Sequence, residues 1–210
     1  TFSLTSDGDY SSEIPTGTNA GSYTVYYKDS SENVSTINVT INKADPVVTI
    51  SANDLTYTGE AQELVSASTT GGTLTYSVNK KTTNLLVSFF TSLFSSGSSG
   101  TIPTKTDAGT YTVTYSVTGD DNFNSTQESS LDVEIKKATP TVSVTANENL
   151  TYNGETQALL TGSTSFGELL YSETEDGTYT STIPTKTNAG TYTIYYKVEE
   201  TDNYYGYGPY

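Results

Sequence analysis

Cysteine, histidine, methionine, tryptophan and arginine are all missing from this chain of 210 residues, and most of these absences close a class of function. Without cysteine there are no disulfides and no thiolate metal sites, so an oxidising compartment is tolerated without being required. Without histidine as well, the usual general base and the thiol nucleophile are gone, and only carboxylate pairs or a Ser-Lys arrangement remain for catalysis. The acids that recur, Glu60 and Glu155, occur once per repeat and do not supply the two carboxylates facing one cleft that glycoside hydrolysis needs. The chain is therefore not expected to be an enzyme, and it calls for no cofactor and no metal. Its nine cations, all lysine, stand against 24 acids for a net charge of −15. Phosphates need clustered cations, so neither nucleic acid nor an anionic membrane surface is an expected partner.

What is present points to strands. Only 33% of the residues are hydrophobic, yet there are 18 tyrosines and many Val, Ile and Thr, which are β-formers that disordered tracts lack. The segment Asn19-Ala20-Gly21-Ser22-Tyr23-Thr24-Val25 recurs as Asp107-Ala108-Gly109-Thr110-Tyr111-Thr112-Val113 and as Asn188-Ala189-Gly190-Thr191-Tyr192-Thr193-Ile194. Each copy is preceded by Ile-Pro-Thr, at Ile14, Ile102 and Ile183. A second landmark, Lys43-Ala44-Asp45-Pro46 against Lys137-Ala138-Thr139-Pro140, sets a repeat of roughly 80 to 95 residues, above the solenoid range and close to one sandwich domain. The chain divides into residues 1–42, the second half of one repeat, 43–136, a complete repeat, and 137–210, a repeat without its last strand. With neither an initiator Met nor a signal-peptide pattern at Thr1, it is expected to be a segment of a longer protein.

Copy three shows the strand pattern. Val142 and Val144 alternate with polar residues, Gln157–Leu160 follows the Tyr152-Asn153-Gly154 turn, and Leu169–Tyr171 follows Phe166-Gly167. Thr191–Val198 then alternates Tyr192, Ile194, Tyr196 and Val198 on one face, the period of a half-buried strand. Copy two repeats this order and adds Ser130–Ile135, giving about seven short strands, a count that fits an immunoglobulin-like sandwich. The fold class expected is all-β, as tandem immunoglobulin-like β-sandwich domains.

The residues also carry a resemblance. The Asp/Asn-Ala-Gly-Thr-Tyr-Thr motif resembles the start of the sixth strand of immunoglobulin domains, where a tyrosine two residues before the second cysteine makes the tyrosine corner. Tyr23, Tyr111 and Tyr192 take that structural role, and Val113 stands at the cysteine position. With the Lys-Ala-x-Pro linker and the Leu-Thr-Tyr-x-Gly-Glu turns at Leu55 and Leu150, the chain resembles tandem Ig-like repeats of bacterial cell-surface proteins and adhesins. The resemblance implies an extracellular, cell-surface location and a non-enzymatic stalk whose first partners are its own neighbouring repeats. Fold alone does not fix function.

Four features bear on what such a stalk does. Almost no spacer separates Lys136-Lys137 from Pro140, and proline biases its predecessor to extended backbone, so consecutive units should form a semi-rigid rod. Copy two has an insertion near 78–101, in which Leu86, Phe89, Phe90, Leu93 and Phe94 share one face of a helix, a strand being the alternative over 84–94. Such an apolar patch either docks onto a host surface or another protomer or folds over its own sandwich. The C-terminal Tyr204, Tyr205 and Tyr207 are candidates for stacking on a glycan, the alternative reading being a carbohydrate- or protein-binding module, although sugar platforms commonly use the missing tryptophan. The loops Asp120-Asp121-Asn122 and Asp202-Asn203 are oxygen-rich, but neither matches a Ca²⁺-loop consensus, and turn chemistry explains them.

Overall fold

The computed structural model describes residues 1–81 and 98–210, and among them the protein is all-β. The apolar face proposed for Leu86, Phe89, Phe90, Leu93 and Phe94, and the choice between helix and strand over 84–94, fall outside the described residues.

Copy one is a three-stranded antiparallel sheet of β1 (Phe2–Ser3), β2 (Gly21–Lys28) and β3 (Val34–Ile41), with β2 in the centre. Tyr23 faces Val39 and Val25 faces Ile37 across it. Among the described residues no second sheet covers their side, and Ile37 and Val39 remain 55% and 45% exposed.

Copy two has the larger core. It runs β4 (Val48–Ala52), β5 (Leu55–Thr56), β6 (Gln62–Glu63), β7 (Val65–Thr69), β8 (Thr73–Lys80), β9 (Ser98–Ser99), β10 (Thr104–Lys105), β11 (Gly109–Thr118) and β12 (Ser129–Lys136). One sheet has the order β5-β12-β11-β8-β9, and β4 pairs with β7 and β6 with β10. The period-two alternation on β11 and β12 sends Tyr111, Val113, Val117, Val133 and Ile135 inward, where they close a core with Leu64, Val65, Leu74, Tyr76 and Ala108. Val48 and Ile50 of β4 pack against it from the other side.

Copy three contains β13 (Val142–Ala146), β14 (Gln157–Ala158), β15 (Leu160–Thr164), β16 (Leu169–Ser172), β17 (Thr185–Lys186) and β18 (Tyr195–Val198). Its registers repeat those of copy two. Leu169 faces Val198 and Tyr171 faces Tyr196, as Leu74 faces Val117 and Tyr76 faces Tyr115. Its core is smaller, with Leu160, Leu169, Tyr171 and Val198 at the centre. The strand expected over Thr191–Val198 is confined to its second half, Tyr195–Val198, and among the described residues no strand pairs with Thr191–Ile194. A strand is defined by its partner as much as by its own alternation.

Candidate functional site: the joint between repeats

The three motif tyrosines sit alike. Each hydroxyl donates to the carbonyl four residues upstream: Tyr23 to Asn19 at 2.7 Å, Tyr111 to Asp107 at 2.7 Å and Tyr192 to Asn188 at 2.8 Å. The bond folds the Asx-Ala-Gly segment into a fixed turn beside the strand. Gly21 and Gly109 follow at φ of 151° and 143°, a region that residues with a Cβ avoid. Burial, reinforced by the Asp107 carboxylate, pushes the Tyr111 phenol above its ordinary pKa.

That turn presents the Ala N–H and the Asx side chain to the next repeat, and the same residue type meets them at both joints. At the first, Asn122 Oδ1 accepts from the Ala20 N–H at 2.7 Å while its Nδ2 donates to Asn19 Oδ1 at 3.3 Å. At the second, Asn203 Oδ1 accepts from the Ala108 N–H at 2.8 Å while its Nδ2 donates to Asp107 Oδ1 at 3.1 Å. Asparagine suits the position because its amide carries an acceptor and donors on one planar group.

The linker is paired into the same loop. Ala44 N–H donates to the Asn122 carbonyl and Asn124 N–H to the Ala44 carbonyl, both at 2.9 Å; Ala138 bonds Asn203 and Tyr205 in the same way at 3.0 and 2.9 Å. The joint lysines close the loop, Lys43 Nζ donating to the Asp120 carbonyl at 2.6 Å and Lys137 Nζ to the Thr201 carbonyl at 2.7 Å and Glu200 Oε1 at 2.6 Å. The Glu200 ion pair is solvent-accessible and adds little on its own. The two joints differ in their aromatic contacts. The Phe123 ring occupies the space that a side chain on Gly71 would need. The matching position in copy three is Phe166, whose ring lies between Tyr57 of copy two, at 5.6 Å, and Tyr204, at 6.3 Å.

The loops that looked oxygen-rich are thus engaged in holding repeats together. Asp120 accepts from the N–H groups of Asn122 and Phe123 at 2.8 and 2.9 Å and from Gly72 at 3.2 Å. The Asn122 bond first, then those of Phe123 and Gly72 with help from the Lys43 ammonium, holds the Asp120 carboxyl below its ordinary pKa against a partial desolvation. At the second joint Thr201 Oγ1 takes the same place, accepting from Asn203 and Tyr204. A carboxyl whose folded pKa is depressed supports the folded state above the ordinary aspartate range, and that support is lost as pH falls through the depressed value. The amide resonances of Asn122 and Phe123 are therefore expected to titrate together with a midpoint below about 3.9, the ordinary aspartate value, and Asn203 and Tyr204 are expected not to follow that titration. A midpoint at or above the ordinary value would refute it. Among the described residues no group of three or more acids converges as a metal site.

The C-terminal tyrosines do not form one platform. Tyr204 stacks on Phe166 in the joint. Tyr207 packs against Tyr196 and Tyr210, at 6.5 and 4.9 Å between centroids. Tyr205 is 50% exposed, with the Lys137 ammonium 5.9 Å from its ring. No protein-family model, curated protein or solved structure matches this chain.

Proposed function

We propose that this chain is a non-enzymatic spacer segment of an extracellular bacterial surface protein, built from tandem immunoglobulin-like sandwich units. The observation that carries the reading is the clasp, in which Asn122 and Asn203 make the same pair of bonds to the Asx-Ala turn of the preceding repeat. Joints repeated bond for bond, with the linker alanine itself paired, fix the angle between units instead of leaving it free. Fixed angles are what a projecting rod needs and what a string of independent binding modules does not. The acidic surface suits a long solvated chain. The test is the distance distribution between spin labels on Ser12 and Thr182, one in copy one and one in copy three. A narrow distribution is expected, and a chelator is expected to leave it unchanged; a broad distribution typical of a flexible linker would refute the rod.

One observation favours a second reading. Tyr205 borders an open cleft of about 560 Å³ between copies two and three, together with Lys136, Lys137 and Asp202, a place where a sugar ring could stack. A glycan array probed with the chain and with its Tyr205→Ala variant separates the two: reproducible binding that the substitution abolishes favours the module.

A further inference from the structure

The gripping half of each joint is carried by one connection, the loop between the motif strand and the strand that follows it. In copy two the ladder of β11 and β12 puts Gly109 opposite Ile135 and Tyr115 opposite Ser129. In copy one the ladder of β2 and β3 puts Gly21 opposite Ile41 and Tyr27 opposite Ser35, the same register at both ends. Only the connection differs. Thirteen residues, 116–128, join Tyr115 to Ser129, and seven, 28–34, join Tyr27 to Ser35. In copy three Tyr196 and Tyr210 exchange backbone bonds at 3.1 and 3.2 Å, again with thirteen residues, 197–209, between them. Copy one therefore lacks the stretch that carries Asn122 and Phe123 in copy two and Asn203 and Tyr204 in copy three.

The short connection closes on itself. Asp29 Oδ1 accepts from the Ser31 and Asn33 N–H groups at 2.7 and 3.0 Å, its Oδ2 accepts from Asn33 Nδ2 at 3.3 Å, and the Glu32 N–H donates to the Asp29 carbonyl at 3.2 Å. Glu32 takes a φ of 60°, the left-handed conformation that so tight a reversal requires, and Lys28 pairs with it at 3.3 Å. The amide of Asn33 thus donates to Asp29, four residues away, whereas those of Asn122 and Asn203 reach partners 102 and 95 residues earlier. No aromatic residue stands in 28–34 to replace Phe123 or Tyr204. The accepting half of the joint is intact in copy one, where the Asn19-Ala20 turn is held by Asn122.

We infer that copy one accepts a clasp from the unit after it but forms none with what lies before it, so that the series of clasped units starts at copy one and the joint on its N-terminal side is a swivel. At both clasped joints the linker alanine pairs with the same loop that carries the asparagine, so a unit without the loop loses both fixings at once. The linker on that side keeps the freedom of an unpaired chain, and the clasped units turn about it as one body. This inference rests on the reading of the clasp as what fixes the angle between units.

The experiment moves the short hairpin to a joint that has a unit before it. In the full chain, residues 117–127 are replaced by Asp-Ser-Ser-Glu-Asn, the sequence of 29–33, with spin labels on Ser12 and Ser68. The label distances are expected to broaden relative to the unaltered chain. Hydrogen exchange at the Ala20 amide is expected to rise at least about tenfold, as for a partly buried bond left unmade, while the amides of Tyr111 and Val133 stay protected. The replacement also removes Val117, which is 1% exposed, from the core. A second variant therefore keeps Val117, Thr118, Thr126 and Gln127, replaces only 119–125 by the same five residues, and carries the same expectation. A narrow distribution with slow Ala20 exchange in either folded variant overturns the inference, because the short hairpin then grips as the long loop does. A distribution already broad in the unaltered chain is a different failure: it overturns the rod, and the swivel with it.

Discussion

Replacing Ile135 by alanine is expected to lower the stability of copy two by about 2–5 kcal/mol, the range for removing a fully buried branched side chain from a core that relaxes only in part. Ile135 is 1% exposed and lies among Leu64, Val65, Tyr111 and Val133. Against a typical stability of about 5–15 kcal/mol the loss is large enough to make the unit marginal. Two companions locate the cause. Glu134→Ala, one residue away on the solvent face of the same strand, is expected to change stability by less than about 0.5 kcal/mol. Val39→Ala, at the position in copy one that matches Val133 but 45% exposed, is expected to cost far less than Val133→Ala. Urea unfolding followed by residue-resolved hydrogen exchange checks all four in the intact chain. Equal effects of Val39→Ala and Val133→Ala would mean that the sheet, not its burial, sets the cost.

The contrast shows where local pattern suffices. The alternation of Tyr111, Val113 and Val117 with threonine and serine is visible without coordinates, and so is the four-residue spacing from Asx to Tyr that the hydroxyl bond spans. The motif recurs three times, which places each strand by comparison as well as by propensity. The same alternation over Tyr192, Ile194, Tyr196 and Val198 yields a strand only from Tyr195. Pattern reports what a segment can do, and pairing depends on whether another segment lies beside it.

The clasp was not legible in this way. Asn122 and Asn203 read as turn residues or as weak Ca²⁺ ligands, since Asp-Asn loops are common and the partners lie 102 and 95 residues earlier. Nothing in a local window reports a contact of that span. A signal existed in the alignment of the repeats themselves. Asp120-Asp121-Asn122-Phe123 and Thr201-Asp202-Asn203-Tyr204 keep the Asn-aromatic pair, and both joints place a lysine immediately before the paired alanine, at Lys43-Ala44 and Lys137-Ala138. The first position varies between Asp and Thr because either side-chain oxygen can accept the same two N–H groups. The asparagine is the same at both joints, where one short amide accepts from the Ala N–H and donates to the Asx oxygen.

Asn203→Ala is expected to loosen the second joint by about 1–3 kcal/mol, the cost of leaving a partly buried N–H without its acceptor. The Ala108 N–H loses Oδ1 and the Asp107 carboxylate loses its donor together. Aspartate is the more searching substitution. Asn203→Asp keeps an acceptor for Ala108 but sets a second carboxylate against Asp107, so the bond at 3.1 Å turns into a repulsion between like charges. At the first joint the matching change, Asn122→Asp, faces the neutral amide of Asn19, which can rotate its own Nδ2 toward the new carboxylate. The two aspartate variants are therefore expected to differ: Asn203→Asp opens its joint and Asn122→Asp leaves its joint closed. Adding Asp107→Asn to Asn203→Asp recreates the second joint's own Asp–Asn pair in reverse and is expected to restore closure. Hydrogen exchange at Ala108 and Ala20 reads each joint separately. If both variants open their joints equally, or the Asp107→Asn change fails to rescue, the clasp is not what holds the repeats at a fixed angle, and the linker pairing at Ala44 and Ala138 must do so alone.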